Sequence, residues 1–210
     1  MKNKCLMLLL TIFLCIGTGI YAQVGDLTGS NICGDGLQST NIGISGADPA
    51  KYYALYHDNK MIQVRRANGE GNEHPFSFGV FKNVGSYSAV AFDKVVDGFP
   101  ARLGKAVKGT ITISPVPVLY MRDTLNIKSG KLLHYVPHAD LQGTTYTWSA
   151  YVKYGKVSGY SKKGGYAIDD TLRVEGDSAA CIVYSITPHG VDHIISCDGG
   201  TRDLVVIVRP

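Results

Sequence analysis

Along TTYTWSAYVKYGKV, residues 144–157, apolar and polar positions alternate. Tyr146, Trp148, Ala150 and Val152 fall on one face, and Thr145, Thr147, Ser149, Tyr151 and Lys153 on the other. A period of two is that of an antiparallel strand with one buried face. ALYHDNKMIQV, residues 54–64, reads as two strands joined at the turn-prone pair Asp58-Asn59. GTITIS (109–114) and DLVVIV (203–208) read as closing strands. Almost no stretch shows a helical period, while Val, Ile, Thr and Tyr are frequent and the turns are rich in Gly and Asp.

The strand pattern occurs twice. NICGDG begins at residue 31 and NIKSGK at residue 126, an offset of 95. ITISP ends at Pro115 and VVIVRP at Pro210, the same offset. Between them, KYYALYH (51–57) lies opposite TYTWSAY (145–151), and VGSYSAVAF (84–92) opposite ACIVYSITP (180–188), with slips of up to two residues that loop insertions would explain. A period this long belongs to whole domains rather than to a solenoid. The expected organisation is residues 23–115 and 116–210 in tandem. SPVPVL (114–119), with two prolines in four residues, forms a short, semi-rigid linker between them.

Six to eight strands in each segment predict an all-β chain of two tandem sandwiches of immunoglobulin type, since a single sheet would leave an apolar face wet. Trp148 takes the place of the core tryptophan on the third strand. Gly85-Ser86-Tyr87 reads as the start of the sixth strand, with the Tyr87 hydroxyl bonded to backbone at the corner. Ala89 stands where antibody domains carry their second cysteine, so the first segment depends on packing.

The amino terminus changes the picture of where the chain works. MKNKCLMLLLTIFLCIGTGIYAQ has a positive start at Lys2 and Lys4, a short apolar run and Ala22 before the expected cut. Residues 1–22 read as a cleaved signal peptide, too short in its apolar run to span a bilayer. Cleavage takes two lysines, so Lys+Arg falls from 21 to 19 against 17 Asp+Glu, a charge of +2. That argues against a nucleic-acid partner. No integral membrane segment is expected after cleavage. Cys33, Cys181 and Cys197 remain, an odd number, so at least one thiol is free or pairs between chains.

The second segment reads Asn-Ile-x-Ser-Gly (126–130), Tyr146-Thr147-Trp148, Val157-Ser158-Gly159, Asp170-Thr171-Leu172, Val-Tyr-Ser-Ile-Thr-Pro (183–188), Cys197-x-Gly199 and a Val-rich end. This resembles the PKD-like, immunoglobulin-type repeats of large surface proteins of Gram-negative bacteria, over most of residues 124–210. Residues 24–115 resemble a generic immunoglobulin-like bacterial repeat. The resemblance implies adhesion, spacing or display without catalysis. It also implies a cysteine in the opening motif paired with one in the late loop. Here Lys128 stands in the opening of the second segment while Cys197 remains. Cys33 keeps the opening place in the first, which lacks a late-loop cysteine. A Cys181–Cys197 bridge would close a loop of 17 residues and add about 3 kcal/mol. The other reading of Cys181 is a core residue on a strand.

Candidate chemistry is sparse. His134 and His138, and His189 and His193, are spaced i, i+4, which on a strand separates the rings by about 13 Å. An immunoglobulin sandwich does bring its second-to-third and sixth-to-seventh loops to one end. That would gather His138, Asp140, His189, Asp192, His193 and Asp198 as a possible metal or ligand site. Asp169 and Asp170 point to opposite faces and cannot share one bond. Cys197 with His193 is a conceivable nucleophile pair without an identifiable third member. RANGEGNEH (66–74) reads as an exposed edge loop rather than a phosphate loop. Tyr52, Tyr53, Tyr56, Tyr151, Tyr154 and Tyr160 offer an aromatic surface for sugars unless they pack in the sheets.

The expected protein is non-catalytic, with no catalytic residues, no metal site and no cofactor. It serves cell-surface adhesion, display or assembly, secreted or in the periplasm of a Gram-negative bacterium. Its partner is an extracellular protein or glycan. The alternatives are a carbohydrate-binding module using surface tyrosines, or a small enzyme with a His/Asp loop metal site.

Overall fold

The computed structural model describes residues 24–67, 76–100, 104–191 and 195–210. The signal segment, most of the 66–74 loop, Asp192 and His193 lie outside them. Every regular element described is a strand.

The amino-terminal strands are β1 (Asp26–Thr28), β2 (Ile32–Cys33), β3 (Thr40–Ser45), β4 (Tyr52–His57), β5 (Lys60–Arg66), β6 (Phe76–Phe81) and β7 (Gly85–Phe92). A small hairpin, β8 (Val95–Val96) and β9 (Phe99–Pro100), and the closing strands β10 (Lys105–Ala106) and β11 (Ile111–Ser114) follow. One sheet has the order β1-β3-β6. The facing sheet runs β2-β11-β7-β4-β5, with β10 also on β7. Between them lie Ile42, Ile44, Tyr53, Leu55, Phe78, Tyr87 and Ile113, all buried. The β4–β5 turn is Asp58-Asn59, both at positive φ (46° and 65°), the two-residue turn that matches strand twist. The Tyr87 hydroxyl donates to the Asn83 carbonyl at 2.9 Å, closing the expected corner.

The second half holds β12 (Leu119–Tyr120), β13 (Thr124–Lys128), β14 (Leu132–Tyr135), β15 (His138–Ala139), β16 (Thr145–Tyr154) and β17 (Val157–Ser158). It continues with β18 (Lys163–Gly164), β19 (Ile168–Thr171), β20 (Arg173–Val174), β21 (Ala180–His189) and β22 (Arg202–Arg209). Its main sheet is β13-β22-β21-β16-β18, and the pairs β14-β19, β12-β15 and β17-β20 complete it. A separate core forms around Trp148, Ile168, Leu172, Ile182, Tyr184, Ile186, Leu204 and Val206. Trp148 meets Tyr184 edge-on at 5.5 Å between centroids. Gly164 lies flat on the indole: a Cβ there would stand 2.3 Å from the ring, so only glycine fits.

The two main sheets repeat in register. Ile32 pairs with Ile113 in a parallel first-to-last strand contact, and Ile127 pairs with Val208 in the same way. Ile111 faces Tyr87, and Val206 faces Ile182. Tyr53 faces Ala91, and Trp148 faces Ile186. Each residue of the first sheet's pairs stands 95 positions before its counterpart in the second. Even the flanking bonds repeat: Gly34 N donates to Ser114 O at 2.8 Å, and Ser129 N to Arg209 O at 2.7 Å. The slips expected from the sequence alone are therefore absent from this sheet, because a shift of one residue would turn the core face to solvent.

Candidate functional site

The first candidate lies where the two cores adjoin. Cys33 ends the short strand β2, paired alongside Ser114 of β11, so it stands at the exit of the first core. Cys197 lies in the late loop between β21 and β22 and is buried. The two form a disulfide with Cα atoms 5.7 Å apart, bridging 164 positions of sequence. The possible Cys181–Cys197 bridge is thus corrected. Among the described residues Cys181 is the free cysteine, buried in β21 opposite Tyr154 and Ile207. Burial pushes its thiol up, away from the reactive thiolate. With its sulfur in a disulfide, Cys197 is not a nucleophile for His193 either.

The linker is packed rather than loose. Gly190 and Gly199 of the late loop lie against Pro115 and Pro117; a Cβ on Gly199 would come within 2.0 Å of the Pro117 carbonyl. On the other side, Val118 N donates to Asp140 Oδ1 at 2.8 Å, and Asp140 N to Val118 O at 3.2 Å. Arg202 spans Leu119 O (3.2 Å) and Asp123 (2.7 Å). Topology does bring the Asp140 and Asp198 loops to one end, but that end holds the linker.

Of the possible ligand constellation, Asp192 and His193 lie outside the described residues, and the other four are engaged as follows. Asp140 is committed to Val118, and His138 lies beside Tyr120, centroids 6.2 Å apart. His189 and Asp198 do meet: Nδ1 donates to Asp198 Oδ1 at 2.7 Å, and Nε2 faces the Thr147 hydroxyl at 2.7 Å. Among the described residues no group of three or more His, Cys, Asp or Glu is placed to hold a metal ion. Thr147, His189 and Asp198 have the connectivity of a hydroxyl–imidazole–carboxylate relay. Acyl transfer also needs donors aimed at an oxyanion. The backbone around Thr147 is the β16–β21 ladder, whose amides serve the sheet. The trio continues a row of cross-strand polar pairs, Thr187 with Thr201 at 2.7 Å and Ser185 with Asp203 at 2.6 Å.

The adjacent acids separate as strand alternation requires. Asp169 is exposed and pairs with His134 at 2.5 Å. Asp170 is buried and accepts from Tyr184 Oη at 2.7 Å and from Ser161 Oγ at 2.9 Å. Burial, then this bond, raises the Tyr184 hydroxyl far above a free phenol. Of the six candidate tyrosines, Tyr53 is wholly buried, while Tyr151 and Tyr154 are about half exposed (51% and 49%) and stand on the same strand.

A second candidate went unread in the sequence. A cavity of about 470 Å³ opens between β5 and the β8–β9 hairpin, lined by Met61 through Arg66, Tyr52, Val95, Gly98 and Phe99. The signal was Asp97-Gly98 in VVDGFP, a two-residue hairpin turn with both residues at positive φ (50° and 80°).

Residues 126–210 match the family model of the PKD-like domain. No curated protein matches the chain. Among solved structures, an ICAM-5 ectodomain fragment is 10% identical at a TM-score of 0.37, over 87% of this chain and 53% of its own. A titin fragment of three immunoglobulin domains is 12% identical at 0.41, over 89% of this chain and 65% of its own. A fragment of Intimin is 10% identical at 0.28, over 85% of this chain and 96% of its own. The chain thus spans between half and two thirds of the length of the first two. Immunoglobulin-like sandwiches, the second of them PKD-like, are the class this chain presents.

Proposed function

We propose that this is an exported, non-catalytic spacer-and-display protein of the bacterial surface or periplasm. Residues 1–22 act as its signal peptide, and residues 23–115 and 116–210 are its two domains. The observation that carries this reading is the Cys33–Cys197 bridge. A packed proline linker fixes one strand of the connection, and the disulfide fixes a second beside it, so bending at the joint is resisted at two points. A disulfide of this kind also belongs to an oxidising compartment, in accord with export. Adhesion or assembly benefits from such stiffness, because a preset geometry lowers the ordering cost of binding. Spin labels placed one in each domain test it. The oxidised protein should give a narrow distance distribution that broadens on reduction; a broad distribution before reduction would overturn the spacer reading.

A further inference from the structure

Strand β5 ends its sheet, and among the described residues no strand pairs with its outer edge. The cavity beside it is lined by six consecutive residues, Met61 to Arg66. Successive side chains of a strand point to opposite faces, so a space touched by all six runs along the edge rather than over one face. An edge of this length presents a row of backbone donors and acceptors.

The far wall is the β8–β9 hairpin, which contributes Val95, Gly98 and Phe99, with Phe99 exposed at 66%; Ile62 on β5 is also exposed, at 43%. The lining carries two cations, Arg65 and Arg66, and no acid; Asp97, in the hairpin turn, is not part of it. Arg65 Nη1 donates to Ser77 O of the facing sheet at 2.8 Å, and the Arg66 guanidinium lies 5.8 Å from the ring centre of Tyr52, itself a lining residue, so the Arg66 head is held at the groove. Charges and a register irregularity on an edge strand often serve only to repel other edges. An exposed phenylalanine lining the groove works against repulsion and favours contact.

We propose that the β5 edge and the β8–β9 hairpin form a docking groove for an extended acidic peptide segment of a partner protein. The segment adds as a further strand, with apolar side chains against Phe99 and Ile62 and carboxylates on Arg65 and Arg66. Main-chain bonds supply affinity and the alternate side chains supply selectivity. The site does not depend on the junction or on its disulfide, so the two readings fail separately.

The test uses the oxidised exported chain and a short labelled peptide of alternating valine and aspartate, at low salt. Binding at micromolar level is expected, with amide shifts concentrated at residues 61–66 and 95–99. Affinity should fall about tenfold or more on N-methylation of alternate peptide amides, on replacing aspartate with lysine, and in Arg66→Glu or Phe99→Ser. Arg66→Lys should retain part of it, and unchanged melting of these surface variants shows that the fold is intact. No binding at millimolar peptide, or equal binding of the N-methylated peptide, overturns the proposal. Self-association that Arg66→Glu abolishes would also overturn it, assigning the groove to a second copy.

Discussion

Tyr53 and Trp148 stand 95 residues apart in the chain and at the same place in their sheets, yet their surroundings differ. Tyr53 is opposite Ala91, and its hydroxyl accepts from Asp48 N at 2.7 Å near the start of the chain's first core. Trp148 packs on Tyr184, which stands where the first domain has Ala89, and Tyr184 in turn reaches the buried Asp170. The first domain instead keeps its polar anchor at the Tyr87 corner, where the second has Ile182. The shared part is the hydrogen-bonded register of four strands. What fills the space behind them has changed freely. Register is the stricter constraint, because a slip exposes a whole face, while a core accepts volume exchanged between neighbours.

The largest effect that separates the two cores comes from Trp148→Ala. It should cost the second domain about 3–5 kcal/mol and leave the first little changed. Chemical denaturation followed by resolved amide signals from each half reads this; equal loss in both halves would mean one shared core. Next comes the difference between the two hydroxyls. Tyr184→Phe should cost about 1–3 kcal/mol by leaving the buried Asp170 short of a donor, and Tyr87→Phe about 1 kcal/mol at a corner nearer the surface. The order of the two, measured from denaturant midpoints, is the point at issue.

A smaller effect appears only in alkali. Burial raises the hydroxyls of Tyr53, Tyr87, Tyr135, Tyr146 and Tyr184. The folded state then holds these protons more tightly than the unfolded one. Their contribution is full below the unfolded value of about 10 and is lost as pH rises above it. Stability should fall beyond about pH 10, and less steeply in Tyr184→Phe, since Tyr184 is shifted most. A slope unchanged by that variant would contradict the assignment.

Much of the main sheet was legible in the sequence. The alternation around Trp148, the Asp58-Asn59 turn, the Tyr87 corner and the repeated Asn-Ile and closing strands all follow from local chemistry. The second sheet was less so, because β14 and β19 are four residues each and pair with partners far away in sequence. The disulfide was not legible, since nothing local links Cys33 to a loop 164 positions on. At the repeat offset, Lys128 and Arg102 take the places of the missing cysteines, so each domain retains half of a pair and the halves join across the linker. The Asp140 and Asp198 loops do share one end of the sandwich, but sequence alone does not show that the linker occupies it. The groove escaped because its hairpin strands are only two residues long.

The most direct measurement is disulfide mapping of the protein by digestion without reduction, with the free thiol alkylated only after denaturation. A cross-linked pair of peptides containing Cys33 and Cys197 is expected, with Cys181 alkylated after unfolding and not before. A Cys181–Cys197 peptide, or Cys33 linked to a second chain, would contradict it.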